Sequence, residues 1–324
     1  MKIVQFCNHI VPARYYGGIE RVTAWLIQGL LEMGHEVTLI APKGSGLPSA
    51  RTIHTEREFN IPKEYPDIKG LIPAGMDVLH YQNGYSSLDY GIPVLHTIHG
   101  QEFKGYPLDG TYNFVSDFHR RSFDLPGHPY VYNGLDLSEF SYKEVKSDYL
   151  LYLNKLDRRG KVNALYKAID LAKRAKVKLL IAGTVRDASF IHGKNIFDRG
   201  LSKYLDENCH YIGPVAGQFK ADILANAKAL INPLMSEDAF GLINNEAMAC
   251  GTPVIGSNVS AIPEIVVHER TGFICKNDDD FLEAIKKVDR IKPSDCRKRV
   301  EEKFTHSTMA GNYVKLYKQI LERR

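Results

Sequence analysis

The chain has 324 residues, of which 44% are hydrophobic and 25% charged, and its formal net charge is +4. This is ordinary globular composition, which excludes a disordered, fibrous or disulfide-stapled protein. The length favours two domains, because a single core seldom grows past about 250–300 residues. The weak positive charge argues against nucleic acid as a partner and is compatible with an anionic ligand or weak peripheral contact with an anionic membrane surface.

The five cysteines show no paired spacing, so we expect them to be reduced, buried thiols in a cytoplasmic protein. The first apolar run, Ile3 to Phe6, is too short for a signal peptide. No stretch of the sequence is long and apolar enough for a transmembrane helix. We therefore expect a cytoplasmic location, with any membrane contact peripheral at the inner face.

The first half of the chain alternates short apolar runs with a stretch of helical periodicity. The helix is predicted from Ile19 to Met33 and ends at Gly34. Strands are predicted at residues 3–6, 37–41, 78–81, 94–98, 112–115 and 130–132. Strand–helix–strand order with almost continuously apolar strands is typical of parallel sheets covered on both faces, so this half is predicted to be α/β.

A polar, charged stretch at residues 133–147 interrupts this pattern and is predicted to be a linker. Beyond it, strands are predicted at 149–153, 178–182, 229–232, 253–256 and 272–275, and helices at 162–175, 281–288, 294–303 and 307–322. The predicted division is therefore two α/β domains, 1–145 and 146–305, and a last helix, 306–324. Parallel α/β sheets bind ligands beyond the carboxyl ends of their strands, so two such domains facing each other would form one deep cleft.

Two glycines, Gly17 and Gly18, follow the first predicted strand and open the first helix. Glycine lets a backbone approach a ligand closely, and a helix N-terminus offers unpaired N–H groups to an anion. Gly-Gly is also typical of a plain tight turn. The position after the first strand of an α/β domain favours a ligand-contacting loop.

The strongest signal lies in residues 236–253, where a helix is predicted to start near Gly241 and to stop at Gly251. The free amides at its N-terminus can hold a phosphate. Asp238 then lies in the preceding loop and Glu246 in the helix, and a carboxylate there suits the vicinal hydroxyls of a ribose or a sugar. The spacing alone is equally compatible with a helix-capping Asp238 and a solvated Glu246.

This segment resembles the E-x7-E signature of the retaining glycosyltransferases of family 4, with Asp238 and Glu246 at the two acidic positions. Stretches at 17–21, 34–38, 77–80, 97–100, 132–136, 181–183, 211–214, 262–266 and 271–273 match further motifs of that family in the same order. Each match is weak alone, and jointly they are specific. The resemblance implies the GT-B fold: an acceptor-side and a donor-binding Rossmann-like domain that face a deep cleft, with the last helix packed back on the first domain.

The resemblance also implies a role for each matching residue. Glu246 would bind the donor ribose, and Asp238 a hydroxyl of the transferred sugar. His99 would contact the donor sugar near the reaction centre, although a strand-end histidine bonded to backbone is the commoner case. His80 matches another family position and is at least as well explained by core packing. The backbone of Gly17 and Gly18 and the amides of Phe240, Gly241 and Leu242 would approach the donor phosphate or sugar.

The chain departs from the family pattern at three places, one of which is Ser260-Ala261 where Gly-Gly often precedes Pro-Glu. The first acid is usually Glu, and here it is Asp238, with the neighbouring Glu237 as an alternative. The donor phosphate is usually met by an Arg and a Lys of one Gly-Arg-x4-Lys-Gly stretch. This chain has Lys155 in the Arg position, a displaced Lys161 and a competing Arg159. An ammonium supplies charge without the bidentate fork of a guanidinium, and an exposed basic turn is the alternative.

The sequence therefore predicts a retaining glycosyltransferase that moves a sugar from a nucleotide diphosphate sugar, commonly UDP in this family, to a glycan, lipid-linked or small-molecule acceptor. Polysaccharide biosynthesis is one setting that would fit. Basic side chains and helix amides would stabilise the charge that grows on the leaving diphosphate. No Asp-x-Asp pair is placed to hold a metal, and Asp278 to Asp280 fit the acidic first turn of a helix, so neither a metal nor a cofactor is expected.

Two other functions stay open on the sequence alone. A sugar-nucleotide epimerase or hydrolase would act on the donor without any acceptor. A degenerate, non-catalytic subunit would bind a nucleotide sugar without turnover. A dinucleotide oxidoreductase is disfavoured, because no G-x-G-x-x-G follows a predicted strand.

Overall fold

The computed structural model describes residues 1–13, 17–57, 59, 67–82, 86–101, 111–156, 159–184 and 201–323, except for the side chains of 159–161. These residues form two compact units. The first unit comprises Met1–Asp136, Asp238–Phe240 and Lys303–Arg324, and the second comprises Leu137–Glu237 and Gly241–Glu302. The predicted domain limits at residues 145 and 305 stay predictions.

Strands and α-helices alternate along most of the chain. The described strands are β1 (Lys2–Phe6), β2 (Glu36–Pro42), β3 (Arg51–Thr55), β4 (Val78–Tyr81), β5 (Val94–Thr97), β6 (Thr111–Asn113), β7 (Tyr149–Leu153), β8 (Lys178–Ala182), β9 (Cys209–Tyr211), β10 (Ala229–Asn232), β11 (Val254–Ser257) and β12 (Gly272–Cys275). The described α-helices are α1 (Gly18–Glu32), α2 (Asp117–Ser122), α3 (Arg159–Ala175), α4 (Gly217–Asn226), α5 (Leu242–Ala249), α6 (Ile262–Ile265), α7 (Asp278–Lys287), α8 (Pro293–Lys303) and α9 (His306–Glu322).

Each unit contains one six-stranded sheet, in the order β3-β2-β1-β4-β5-β6 in the first unit and β12-β11-β10-β7-β8-β9 in the second. All the described pairings between these strands are parallel. Strands β4, β10 and β11 are buried along their whole length, as expected where helices cover both faces of a sheet. The predicted α/β class with parallel sheets is confirmed.

One strand prediction is wrong, and two strands of the structure were not predicted. The strand predicted at residues 130–132 is wrong: Tyr130 forms only an isolated bridge with Phe114, because β6 has already ended and the chain turns at once into α2. Strand β3 was not predicted, since its alternating polar sequence is that of an exposed edge strand, held by β2. Strand β9 was also missed, because three residues are too few for a periodicity to show.

Helix α9 packs along α1 in the first unit. The two helices approach closely at Gly29, where a Cβ atom would lie 2.7 Å from the carbonyl oxygen of His306 and 2.8 Å from the Cβ atom of Ala310. Glycine is therefore required at this crossing. Tyr313 and Tyr317 of α9 are 1% and 0% exposed, and their hydroxyls contact Thr97 of β5 and His80 of β4.

All five cysteines are buried, and none forms a disulfide, which confirms the expectation of buried free thiols. Burial raises the pKa of Cys250, Cys275 and Cys296 to about 12 and that of Cys209 to about 11. These four side chains are therefore inert thiols at neutral pH rather than nucleophiles. In the part of the chain that the structure describes, no helix has the length and apolar character needed to cross a membrane.

Candidate active site

The loop and helix after β10 form the core of the candidate site. Gly241 caps α5 with a left-handed φ of 80°, and a Cβ atom there would lie 2.7 Å from Asn244 Nδ2. Asn244 Nδ2 donates to the Gly241 carbonyl oxygen at 3.0 Å, and Asn232 Nδ2 donates to Asn244 Oδ1 at 3.1 Å. These bonds fix the start of the helix against the end of β10. The predicted helix from near Gly241 to Gly251 is confirmed.

Glu246 lies within α5 and is only 1% exposed. Its Oε2 atom forms an ion pair with Lys220 Nζ on α4 at 2.5 Å, and the Lys220 side chain is 14% exposed. A carboxylate at this depth keeps its charge only when a partner compensates for the lost hydration. The alternative of a solvated Glu246 is therefore wrong, and its role in binding a ribose stays a prediction.

Lys220 was not singled out from the sequence. It lies one helical turn before Leu224, which is wholly buried, so both side chains project from the same face of α4. A lysine on the apolar face of a short helix was the one available signal. Its partner is a glutamate on another helix, and the sequence does not reveal that pairing.

Asp238 lies in the loop before α5, as predicted. Residues 238–240 belong to the first unit, whereas the residues on either side belong to the second. Ser116, which caps α2, donates a hydrogen bond from Oγ to the carbonyl oxygen of Ala239 at 2.6 Å. Asp238 is half-buried and Glu237 is exposed, which favours Asp238 as the acid that contacts a ligand.

Phe240 anchors this loop in the first unit. Its side chain is 3% exposed, and its ring centroid lies 6.1 Å from that of Tyr132 and 6.2 Å from that of Phe304. Its backbone N–H donates to Asp238 Oδ1 at 3.4 Å, a long bond that a stronger acceptor could replace. Leu242 is the first residue of α5, where the N–H group has no acceptor within the helix. Phosphate contacts by these amides stay a prediction.

His119 of α2 is wholly buried, with its ring edge-on to Phe114 and Phe123 at centroid distances of 5.3 and 5.2 Å. Burial lowers the pKa of His119 to about 4, against smaller opposing effects of the Gly100 carbonyl and the Asp238 carboxylate. The ring is therefore neutral at pH 7 and lies within electrostatic reach of Asp238. Sequence reasoning missed His119, because one histidine in a short helix has no distinguishing pattern.

His99 follows β5 by two residues and is half-buried. Its Nε2 atom lies 3.2 Å from Gln82 Oε1, so the partner observed is a side chain rather than the backbone. Burial, and then the nearby His119, lower the pKa of His99 to about 3. The predicted contact of His99 with a donor sugar would thus be made by a neutral imidazole.

His80 is wholly buried and hydrogen-bonded at both ring nitrogens. Nδ1 lies 2.7 Å from the Tyr317 hydroxyl, and Nε2 lies 2.6 Å from Thr97 Oγ1. Burial lowers the pKa of His80 well below its ordinary value. These contacts make His80 a member of the core, in agreement with the packing alternative.

Gly17 and Gly18 are explained differently by the structure. A Cβ atom on Gly17 would lie 2.5 Å from Glu20 Oε2 and 2.8 Å from the Cβ atom of Ala13, so close packing requires glycine there. The Gly17 carbonyl oxygen accepts a hydrogen bond from Arg21 Nε at 3.2 Å. Gly18 is exposed, and a Cβ atom on it would meet no described atom within 4 Å. The exposed backbone is therefore that of Gly18, and ligand contact by either glycine stays a prediction.

Lys155 lies in the loop after β7 and is half-buried, with its N–H bonded to Asn154 Oδ1 at 3.0 Å. The loop touches Gly183, whose φ is 151° and whose missing Cβ atom leaves room for the Asn154 carbonyl oxygen. Arg159 and Lys161 lie at the start of α3, and their side chains are outside the described residues. The phosphate-binding roles of all three cations stay predictions.

The sheet order explains which of these residues share an edge. In the second unit β7 and β10 are neighbours, so the Lys155 loop and the loop before α5 leave the same edge of the sheet. In the first unit β1, β4 and β5 are consecutive neighbours, so Gly17, Gln82 and His99 also follow the carboxyl ends of adjacent strands. This is the edge at which parallel α/β sheets bind ligands. Within the described ranges, no group of three His, Cys, Asp or Glu side chains is placed to hold a metal ion.

Two family models match the chain. Residues 136–303 match the model of the glycosyl transferases group 1, and residues 16–131 match that of glycosyltransferase family 4. The first match alone covers more than half of the chain. The two parallel sheets define an α/β protein, and the chain belongs to the group 1 glycosyl transferases.

Curated relatives align with parts of the chain. It is 33% identical over 110 residues to N-acetyl-alpha-D-glucosaminyl L-malate synthase of Bacillus anthracis, which covers 31% of this chain and 28% of the relative. It is 26% identical over 228 residues to an uncharacterized glycosyltransferase of Methanocaldococcus jannaschii, which covers 59% of this chain and 54% of the relative. The chain thus spans 28% and 54% of the lengths of these two relatives.

Solved structures match the whole fold. AviGT4, a glycosyltransferase involved in avilamycin A biosynthesis, has a TM-score of 0.78 at 23% identity, covering 100% of this chain and 98% of that one. Sucrose-phosphate synthase of Thermosynechococcus elongatus has a TM-score of 0.75 at 18% identity, with full coverage of both chains. Anabaena HepE in complex with UDP and glucose has a TM-score of 0.71 at 12% identity, covering 98% and 100%. The predicted two-domain, Rossmann-like GT-B fold is confirmed.

Proposed function

We propose that the chain is a retaining, metal-independent glycosyltransferase that moves a sugar from a nucleotide diphosphate sugar, with UDP as the first candidate, to a glycan, lipid-linked or small-molecule acceptor. The segment from β10 to α5 carries this proposal, because a left-handed Gly241 opens a helix that holds the buried, ion-paired Glu246. The complex of Anabaena HepE with UDP and glucose shows that another chain of this fold takes such ligands.

The donor nucleotide contacts the second unit in this proposal. Glu246, kept ionised by Lys220, accepts hydrogen bonds from the two vicinal ribose hydroxyls. The first amides of α5 and the ammonium of Lys155 meet the diphosphate, whose negative charge grows as it leaves. Arg159 and Lys161 supply the further positive charge. These groups take the place that a divalent cation holds in metal-dependent transferases.

The transferred sugar contacts side chains of the first unit. Asp238 accepts a hydrogen bond from one sugar hydroxyl, and the neutral ring of His99 contacts the sugar near the carbon that gains positive character. Retention then follows if the acceptor attacks from the face that the diphosphate leaves. The departing phosphate oxygen takes the acceptor proton, so no separate protein base is needed in this scheme.

Binding is tested by a thermal-shift screen of the wild-type chain against UDP, GDP, ADP and their sugars. A ligand that binds only the native state raises the melting temperature, and at 100 times its Kd it adds about 2.7 kcal/mol to stability. We expect a diphosphate nucleotide and its sugar to give the largest shift. If no nucleotide or nucleotide sugar shifts the melting temperature, the proposal is wrong.

Turnover separates the competing functions. Incubation with the donor alone should leave it intact, whereas release of free nucleotide would indicate a hydrolase, and a rearranged sugar an epimerase. Donor binding without transfer over a broad acceptor panel would indicate a non-catalytic subunit. EDTA should leave the rate unchanged, and a loss that Mg²⁺ restores would contradict metal-independent transfer.

A further inference from the structure

A row of hydrogen bonds between side chains leads from His99 into the core of the first unit; we call it the relay. Apart from His99, its members are wholly buried. In order, the contacts are His99 Nε2–Gln82 Oε1 (3.2 Å), Gln82 Nε2–Gln5 Oε1 (2.7 Å), Gln5 Nε2–Tyr317 Oη (3.0 Å), Tyr317 Oη–His80 Nδ1 (2.7 Å), His80 Nε2–Thr97 Oγ1 (2.6 Å) and Thr97 Oγ1–Asn113 Oδ1 (2.6 Å).

Which atom donates and which accepts in each hydrogen bond of the relay is fixed at its inner end, Asn113. Asn113 Nδ2 donates to the backbone carbonyl oxygen of Phe114 at 3.2 Å, and a carbonyl oxygen can only accept. The Asn113 amide is thereby oriented, so its Oδ1 atom accepts the hydroxyl proton of Thr97. A hydroxyl has one proton to give, so Thr97 Oγ1 must accept the proton carried by His80 Nε2.

The direction then passes through His80 to Gln82. Burial lowers the pKa of His80 well below its ordinary value, so the ring is neutral, and with its proton on Nε2 its Nδ1 accepts from the Tyr317 hydroxyl. The Tyr317 oxygen accepts from Gln5 Nε2, and Gln5 Oε1 accepts from Gln82 Nε2.

We propose that the relay selects the tautomer of His99, with Gln82 and Tyr317 as positioning residues, so that Nε2 carries the proton and Nδ1 is a hydrogen-bond acceptor for a sugar hydroxyl. Gln82 Oε1 can only accept, and the atom facing it is His99 Nε2. The sugar as ligand rests on the proposed function, whereas the tautomer rests on the relay alone. In this tautomer, Nδ1 accepts a hydrogen bond and cannot donate one.

The electrostatic surroundings agree with this assignment. Burial and the nearby His119 lower the pKa of His99 to about 3, so the ring stays neutral over the physiological range. In this assignment α9 also takes part in fixing the tautomer of His99. Its Tyr317 hydroxyl donates to His80 and accepts from Gln5, so it links the fixed amide of Asn113 to the amides of Gln5 and Gln82. The hydroxyls of Tyr317 and Tyr313 both contact this row: Tyr313 lies 3.1 Å from Thr97 Oγ1.

The tautomer can be read directly, without donor or acceptor. In wild-type protein labelled with ¹⁵N in its histidine rings, two-bond ¹H–¹⁵N correlations at pH 7.5 distinguish a protonated from a bare ring nitrogen, and the His99→Asn variant identifies the His99 signals. We expect His99 to be protonated at Nε2 and bare at Nδ1. A proton on Nδ1, or on both nitrogens, would overturn the inference.

Variants test whether the relay causes the tautomer. Gln82→Leu removes the acceptor facing Nε2, and Tyr317→Phe interrupts the relay two contacts further in; each should shift the His99 signals towards a mixture of tautomers, the first more than the second. Gln28→Leu on α1 and Tyr149→Phe in the second unit are matched controls outside the relay. Unchanged His99 signals in Gln82→Leu would remove Gln82 as a positioning residue, and the wild-type spectrum decides the tautomer even if a variant fails to fold.

Kinetics connect the tautomer to the sugar. Gln82→Leu should lower kcat/KM by about tenfold, the value of one lost hydrogen bond, while the Kd for the nucleotide without its sugar stays within twofold. Equal kcat/KM in wild type and variant would contradict the contact with the sugar. If the wild type shows the expected tautomer but binds no nucleotide sugar, the proposed function and the sugar contact fail, and the tautomer assignment stands.

Discussion

The two units of the chain have the same sheet topology but bury polar groups in different ways. When the strands of each sheet are numbered from 1 to 6 in chain order, both sheets have the spatial order 3-2-1-4-5-6. The first unit buries the relay, whose members are neutral and mutually hydrogen-bonded, whereas the second buries the ion pair of Glu246 and Lys220. Neutral groups are inexpensive to bury once they are paired, and each ion depends strongly on its partner.

This difference suits the two tasks proposed for the units. The second unit needs a fixed negative charge for ribose hydroxyls, and Lys220 supplies the counter-ion that allows Glu246 to stay charged inside the protein. In the proposed reaction, Asp238 and His99 of the first unit contact a sugar whose own charge changes. A neutral His99 of fixed orientation can contact that sugar without repelling it. Removing one partner should therefore have larger effects in the second unit than in the first.

The largest effect is expected for Glu246→Ala. The variant loses the charged acceptor of the ribose hydroxyls, and hydrogen bonds to charged groups are each worth about 1.5–3 kcal/mol, so turnover at low donor concentration should fall by about 100-fold or more. The fold should persist, because alanine favours helix and Lys220 is 14% exposed and can reach water. The measurement is kcat/KM for the donor, with circular dichroism as the control. Activity at the wild-type level would contradict the donor role of Glu246.

Lys220→Met should have the largest effect on stability. It leaves a carboxylate that is 1% exposed without its counter-ion, and breaking a buried pair in this way costs about 3–5 kcal/mol. Lys228→Met is the matched control, because its partners Asp148 and Asp289 are 85% and 69% exposed, and it should cost less than about 1 kcal/mol. Urea unfolding followed by circular dichroism measures both. Equal losses in the two variants would remove the contrast between the units.

The buried histidines predict how stability depends on pH. Burial lowers the pKa of His96 and His119 to about 4, and of His99 to about 3, from the ordinary value of 6.5 that applies in the unfolded chain. Below pH 6.5 the unfolded state therefore binds more protons than the folded state. The free energy of unfolding is not reduced by these rings above pH 6.5, and it decreases as the pH falls towards 4. Each histidine should account for roughly 2 kcal/mol between pH 7 and pH 5. A melting temperature that is the same at pH 7 and pH 5 would argue against buried, neutral rings.

Two glycine variants give the smallest expected effects. Gly241→Ala places a side chain at φ 80°, with its Cβ atom 2.7 Å from Asn244 Nδ2, and should cost about 1–2 kcal/mol. Gly18→Ala meets no described atom within 4 Å and should change stability by less than about 0.5 kcal/mol. Melting temperatures measured side by side test the difference. A larger loss for Gly18→Ala would mean that its backbone has a packing role.

The fold could be predicted because its information is local. The central strands are continuous apolar runs, α1 has helical periodicity, and Gly241 marks a helix start that local bonds enforce. The edge strand β3 could not be predicted, because its exposed face permits a polar sequence and only pairing with β2 makes it a strand. Buried strands of an α/β core therefore have a sequence pattern from which they can be predicted, whereas an exposed edge strand has none.

The polar partners within the site could not be predicted, because tertiary structure decides them. Gln5 and Tyr317 are separated by 312 residues and still share a hydrogen bond in the relay. Lys220 and Gln82 are not distinguished from other polar residues in the sequence, and their importance appears only from their contacts with Glu246 and His99. The sequence indicated Glu246 and His99 through motifs, and the structure added the groups that set their charge and orientation.

The central claim is that a diphosphate nucleotide binds at the N-terminus of α5 through Glu246 and without a metal ion. A calorimetric titration of UDP into the wild-type chain in EDTA, paired with the same titration of Glu246→Ala, tests it most directly. We predict one binding site per wild-type chain and at least about 100-fold weaker binding to the variant. No binding to the wild type until Mg²⁺ is added, or equal binding to both proteins, would contradict the account.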